Sequence, residues 1–302
     1  MSAVVISRRL FLLAAIFAYL QIALGGVVRV SGSGLGCPDW PLCHGRPYPP
    51  ANLNSIIEYS HRTVGAITGV LIIAAVIAAW AVFRNRRPVV AWMATASLAA
   101  VAVEGGLGGI VVASELTPWL VAVHLGLAMI ILGCLIATWL LSLPESAGVG
   151  GMQFKRLASA AVVATYVLLL TGSSVVASNA DETCNSWPLC GGGFTPDFAG
   201  ANAFTMLHRG FALIAGVLIV IFLVSAYRRG LRFSAAAAIA VLLLQTAVGA
   251  AAAITNGAAA NGVHVALATL VWSGVLATAL LTVPRSDRVP QEARLQIQRT
   301  AG

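Results

Sequence analysis

Apolar residues fill eight long runs of this chain, at roughly 10–30, 62–83, 89–113, 119–142, 157–178, 207–227, 233–254 and 263–283. Short polar or basic segments separate them. A helix rises about 1.5 Å per residue, so about twenty apolar residues cross a hydrocarbon core. The pattern predicts an all-α polytopic membrane protein with eight transmembrane helices. The opening "SRRLFLL" superficially resembles a twin-arginine export signal, but its apolar run is long and no small-residue cleavage site ends it. It reads as the first span.

The runs are written on a template used twice. An offset of 147 carries Gly25 to Gly172, Ser31 to Ser178, Cys37 to Cys184, Trp40 to Trp187, Cys43 to Cys190, His61 to His208, Arg62 to Arg209 and Gly69 to Gly216. Further on, "VEGGLGGIVVAS" (103–114) meets "LQTAVGAAAAIT" (244–255), and "VHLGLAM" (123–129) meets "VHVALAT" (263–269). Four crossings return the chain to its starting side, so the repeat is parallel. Two tandem, pseudo-symmetric four-helix bundles are expected, over 1–145 and 146–284, joined by a loop near 143–156 and followed by a tail over 285–302. That tail is expected to be solvated and partly disordered.

Composition agrees. Of 302 residues, 59% are hydrophobic and only 9% are charged, far below the roughly 25% of a soluble domain. The net charge of +8 invites a nucleic-acid partner until its placement is considered. Arg8, Arg9, Arg84, Arg86, Arg87, Lys155, Arg156, Arg228, Arg229, Arg232, Arg285, Arg288, Arg294 and Arg299 fall on one side of the eight-span arrangement. Only Arg29, Arg46, Arg62 and Arg209 fall on or near the other. This is the positive-inside bias, and it predicts cytoplasmic termini with the cysteine loops outside. The basic residues record topology in a bilayer, with no call for nucleic acid.

Four of the five histidines belong to the repeat: His61, His124, His208 and His264. Each opens an even-numbered span, so all four lie at similar depth near the outer face. His61 can face His124 within the first bundle, and His208 can face His264 within the second. A single histidine there is an ordinary hydrogen-bonding residue. Four at matched positions favour axial ligation of haem iron, whereas tetrahedral zinc wants more ligands close by. Gly105, Gly106, Gly108, Gly109 and Gly249 fit a flat ligand against the backbone, or equally close helix packing. Arg62 and Arg209 could hold haem propionates or snorkel to headgroups, and neither reading leads. Arg29 aligns with Val176, so any role is confined to the first half; His44 has no counterpart and reads as a surface residue.

The copies are most informative where they diverge. "EYSHR" (58–62) aligns with "TMLHR" (205–209), so Glu58 becomes Thr205. Glu58 shares a helix face with His61, and a carboxylate at the mouth of an apolar pocket suits proton transfer. The bland alternative is a solvated residue ahead of the span. The asymmetry places chemistry in the first half and a stable cofactor in the second. Glu104, matched by Gln245, is a costly carboxylate inside the third span whose role stays open. Cys134 reads as packing.

Together, "GGVVRVSGSGLGCPDWPLC", "EYSHRTVGAITG", "VHLGLAM", "CNSWPLC", "MLHRGFALIAG" and "VHVALAT" resemble the haem A synthase family across nearly the whole chain. The second half departs from the first where "ASNADETC" stands for "SGSGLGC". The resemblance implies a bacterial plasma-membrane oxidoreductase that converts the C8 methyl group of haem O to a formyl group, with oxygen from water. It implies haem b on His208 and His264, substrate haem O on His61 and His124, and Glu58 as the catalytic carboxylate. Haem O synthase as donor is the implied partner; the sequence names no electron acceptor, with no flavin, nucleotide or iron–sulfur motif, and a quinone or a redox protein stays open. A di-haem cytochrome b without haem-modifying activity uses the same histidines, and a transporter built from repeats is the third reading.

Four cysteines permit three pairings. The repeat and the short spacing favour Cys37–Cys43 and Cys184–Cys190, on the side where disulfides persist. A structural staple is favoured over a redox relay.

Overall fold

A computed structural model describes residues 2–287. Nine helices appear among them: α1 (Ala3–Val30), α2 (Leu53–Phe83), α3 (Pro88–Ala113), α4 (Pro118–Ser142), α5 (Met152–Ala177), the one-turn α6 (Ala180–Thr183), α7 (Asn202–Arg228), α8 (Arg232–Thr255) and α9 (Ala258–Leu281). All but α6 are long and apolar enough to cross a membrane. The protein is a multi-pass helical membrane protein.

Local chemistry sets the ends. Helices α3 and α4 open on Pro88 and Pro118, where a missing N–H costs nothing and φ is preset for a helix. Helix α2 begins at Leu53, nine residues before the apolar run at 62, because Asn52 caps it by accepting the Ser55 N–H at 2.9 Å. Hydropathy alone reads that first stretch as loop. The cap extends the helix out of the membrane core and carries Glu58 with it.

Within the first half α1 packs on α2, α2 on α3, α3 on α4 and α4 on α1, closing a four-helix ring; α5, α7, α8 and α9 close a second ring in the same order. The rings meet through α1 against α9 and α4 against both α5 and α9, as a two-fold relation between the copies requires. Small residues let the backbones approach: Ala14, Ala75, Ala79, Ala91 and Ala94 are buried, while Val70, Ile77, Leu213 and Ile214 face outward. Small residues at helix contacts are typical of packing in lipid, and larger ones such as Phe11, Ile72 and Phe222 fill the remaining core. Across the seam, the buried Trp272 indole donates to Met129 O at 3.0 Å and lies against Gly133. Tyr166 donates its hydroxyl hydrogen to Gly126 O at 3.1 Å. Cys134, on α4, is a free thiol.

At the end of the fold remote from the cysteine loops, arginines terminate α4. Arg8 Nε donates to Ser142 O at 2.6 Å, and Arg87 donates to the carbonyls of Leu141 and Leu143. Cations there satisfy the orphan carbonyls and the negative end of the helix dipole. Arg87 also pairs with Asp287 at 2.6 Å, and Arg285 exchanges backbone hydrogen bonds with Ser146. The first three residues of the expected solvated tail are thus docked on the loop that joins the halves; the remainder, 288–302, lies outside the described residues.

Candidate active site: two histidine pairs and a lidded carboxylate

The ring topology puts α2 diagonally across from α4, and α7 across from α9. His61 and His124 therefore look at each other through the first bundle, and His208 and His264 through the second. Each ring lies within electrostatic reach of its mate.

Every histidine has a seat on the neighbouring helix. A Cβ added at Gly25 would meet His61 Cε1 at 3.1 Å, and one at Gly172 would meet His208 Cε1 at 3.1 Å. At Gly108 the distance to His124 Cε1 is 3.4 Å, and at Gly249 that to His264 Cε1 is 2.7 Å. In three of the four seats a long polar residue stands one turn before the glycine: Gln21, Glu104 and Gln245 reach His61, His124 and His264 at 3.2, 3.2 and 3.3 Å. The sequence carries these as "QIALG", "EGGLG" and "QTAVG". Reading the histidines alone misses them; the signal is a polar residue four before a glycine, one face of one helix. The fourth seat, "LLLTG", has Leu168 at that place and uses Thr171 instead, 3.0 Å from His208 Nδ1. Of the expected glycines, Gly108 and Gly249 are seats, Gly109 carries the Trp40 indole, and Gly105 and Gly106 have nothing within 4 Å.

Donor chemistry fixes the state of the His208 ring. Thr171 gives its hydrogen to Leu168 O, so it accepts from His208 Nδ1–H and leaves Nε2 unprotonated. Glu104 stands at the same nitrogen of His124. In the other member of each pair a glutamine amide rests against Nε2, held by that bond alone, since Gln21 Oε1 and Gln245 Oε1 have no partner. Among the described residues, the buried side-chain atoms without a hydrogen-bond partner gather here: Gln21 Oε1, His61 Nδ1, Glu104 Oε2, His124 Nδ1, Gln245 Oε1 and His264 Nδ1. Only Thr278 Oγ1 and Arg285 Nη1 lie elsewhere. Orphaned polar atoms are rare in folded interiors. Paired imidazoles with unpaired nitrogens, each ring seated on a glycine, fit bis-histidine ligation of haem.

Each cysteine loop is anchored on the arginine that follows one of these histidines, Arg62 or Arg209. Cys37 bonds Cys43 with Cα atoms 4.6 Å apart, and Cys184 bonds Cys190 at 5.0 Å. Both loops contain a cis Trp–Pro bond. In the first, the indole of Trp40 packs on Gly109, one residue beyond the His124 seat. Asp39 accepts from the amides of Gly45 and His44 at 2.7 and 2.6 Å, which hold its carboxyl below the usual range. His44 lies on the surface, its Nε2 3.0 Å from Gly36 O.

Arg62 ties the first loop to α2. It donates to the carbonyls of Asp39 at 2.5 Å, Leu42 at 2.6 Å and Cys37 at 2.6 Å, and pairs with Glu58. Arg209 repeats this in the second half, on Ser186 O at 2.7 Å and Pro188 O at 3.0 Å. Each guanidinium is thus committed to its own loop.

Glu58 is only 3% exposed, which removes the reading of a solvated residue. It accepts the Cys37 N–H at 2.7 Å on Oε2 and the Arg62 guanidinium on Oε1. Thr205, at the same place in the second half, instead donates to Ala180 O at 3.3 Å. The first loop is therefore held by a carboxylate one helical turn from His61, the second by a neutral hydroxyl. Replacing Cys37 and Cys43 together by Ala is expected to cost about 2 kcal/mol by the loop-entropy relation. Thermal unfolding followed by tryptophan fluorescence checks this, and an unchanged midpoint would remove the staple role.

Comparison with known proteins places the chain. Residues 8–276 match the family model described as cytochrome oxidase assembly protein, COX15-CtaA. A protein named Heme A synthase from Shouchella clausii is 29% identical over 265 residues, covering 83% of this chain and 88% of that protein. One of the same name from Geobacillus kaustophilus is 27% identical and covers 95% of each chain. Another, from Symbiobacterium thermophilum, is 30% identical over 76% of this chain and 80% of its own length. The matched segment runs from α1 into α9 and takes in all four seats, both loops and Glu58, so this chain belongs to the COX15-CtaA family of cytochrome oxidase assembly proteins.

Proposed function

We propose that this protein is a haem A synthase, which binds haem O in its first half and oxidises the C8 methyl group to a formyl group. The observation that carries this reading is the asymmetry. Two equivalent histidine pairs sit under equivalent loops, and only the first has a buried carboxylate beside it. The relatives named Heme A synthase support it at the level of the whole chain.

The overall change is R–CH3 + H2O → R–CHO + 4 H⁺ + 4 e⁻. It amounts to two hydroxylations and loss of water from the resulting gem-diol. His61 and His124 hold the substrate iron and thereby fix the macrocycle in the slot. Glu58 takes a proton from the attacking water, or stabilises positive charge developing on the methyl carbon. The Cys37 amide and Arg62 fix the orientation of that carboxylate, and the loop they bind excludes bulk water from it. His208 and His264 hold haem b, which supplies one-electron transfer when bound. The acceptor is a quinone or redox protein, and haem O synthase is the natural donor of substrate. The distribution of arginines supports cytoplasmic termini and external loops, and the bacterial relatives support a plasma-membrane site.

Expression alongside a haem O source, followed by pigment extraction, tests the reading. Haem A should accumulate with the native chain. Haem O retained without product would leave a di-haem electron-transfer protein in its place.

The seats make a separate prediction. Gly249→Ala puts a methyl 2.7 Å from His264 Cε1, so ring or helix must shift. Purified protein should lose low-spin haem absorbance from the second half. Gly216→Ala, with nothing within 4 Å, should retain it.

A further inference from the structure

We infer that Glu104 is a positioning residue that makes His124 the most electron-donating of the four histidine ligands, and so lowers the reduction potential of iron held in the first half relative to the second. This rests on the proposal that the two pairs ligate haem. Each seat offers a glycine wall and one polar side chain, which meets Nδ1 in His124 and His208 and Nε2 in His61 and His264. Three of those side chains are neutral: Gln21, Thr171 and Gln245. The fourth is a carboxylate, with Oε1 3.2 Å from His124 Nδ1.

That contact is at ion-pair distance but off the line of a hydrogen bond, which leaves His124 Nδ1 without a hydrogen-bond partner; the second carboxylate oxygen, Oε2, is buried without one as well. Glu104 meets no other basic side chain at ion-pair distance among the described residues, and its side chain is 12% exposed. A carboxylate inside a span is costly unless a specific partner justifies it. Here the partner is a ligand's outer nitrogen. A carboxylate accepting from the Nδ1–H of a metal-bound imidazole fixes its tautomer, raises its basicity and favours the more oxidised metal. Thr171 does the corresponding job at His208 Nδ1 with a hydroxyl, a weaker acceptor than a carboxylate. Glu58 and Glu104 thus have neutral counterparts in Thr205 and Gln245.

The test is a spectroelectrochemical titration of the full chain purified with haem O and haem b bound, native against Glu104→Gln. The glutamine keeps the size and a carbonyl acceptor but removes the charge. The first-half midpoint should move to more positive potential while the second-half midpoint stays fixed. Full haem content with an unmoved first-half midpoint would overturn the inference and leave the haem A synthase reading intact. Native protein that binds haem in the second half alone would overturn that reading instead. Should Glu104→Gln not retain haem, Thr171→Asp, which writes a carboxylate beside His208 Nδ1, decides. A carboxylate there should lower the second-half midpoint, and no shift would overturn the inference.

Discussion

Glu58→Gln is expected to lower haem A formation by roughly 10²- to 10⁴-fold, the usual contribution of a positioned proton-transfer group, while haem content stays unchanged. The glutamine is isosteric, and its carbonyl can still accept the Cys37 N–H that Glu58 now accepts at 2.7 Å. What it loses is the charge and the capacity to take a proton. Loss of the pairing with Arg62 could by itself loosen the loop, because removing one partner of a buried pair is costly. Arg62 retains three carbonyl acceptors in the loop, so the lid should stay in place. Thr205→Glu is the useful companion. It writes the first-half residue into the second half, where no reacting methyl group is expected, and should leave the rate as it was. Extracted haem O and haem A, separated by chromatography, report the outcome. Native turnover by Glu58→Gln would remove Glu58 from the chemistry.

The second large effect is expected at His208. His208→Ala should strip the second half of its resident haem b and reduce conversion of haem O to background, with substrate still bound by His61 and His124. The reason is geometric. His208 faces His264 from the diagonal helix, and Thr171 takes its Nδ1 hydrogen, leaving Nε2 for the metal. No other described histidine, cysteine or carboxylate completes a metal-binding group there. Haem stoichiometry by pyridine haemochrome, beside product analysis, separates the two consequences. An unchanged haem b content would show that the second pair is not its ligand set.

Much of this was legible from the chain itself. Hydropathy located the eight spans because a bilayer demands a length of apolar helix that little else in a sequence imitates. The repeat located the histidines and the cysteines, and it exposed Glu58 through its absence from the second copy. Hydropathy misjudged the start of α2, since "LNSIIEYSH" is too polar for a span but is helical under its Asn52 cap. That difference turned Glu58 from a residue ahead of a span into one buried under a loop. Nothing in the sequence linked Arg62 to the carbonyls of residues 37–42. An arginine beside a histidine is equally compatible with lipid, propionate or backbone, and only folding brings the loop back over it.

What the sequence determined by itself is therefore the eight-span, twice-written architecture, the ligand candidates and the two carboxylates, Glu58 and Glu104, that only the first copy carries, because these depend on composition and periodicity along the chain. What only the tertiary structure decided is which residues serve those ligands. Glu104 lies 20 positions before His124 in the chain, yet stands 3.2 Å from it. Gln21 and Gly25 reach His61 from a different helix altogether. Contacts between helices depend on the angle at which each faces its neighbour, and that angle is set by the packing of the whole ring.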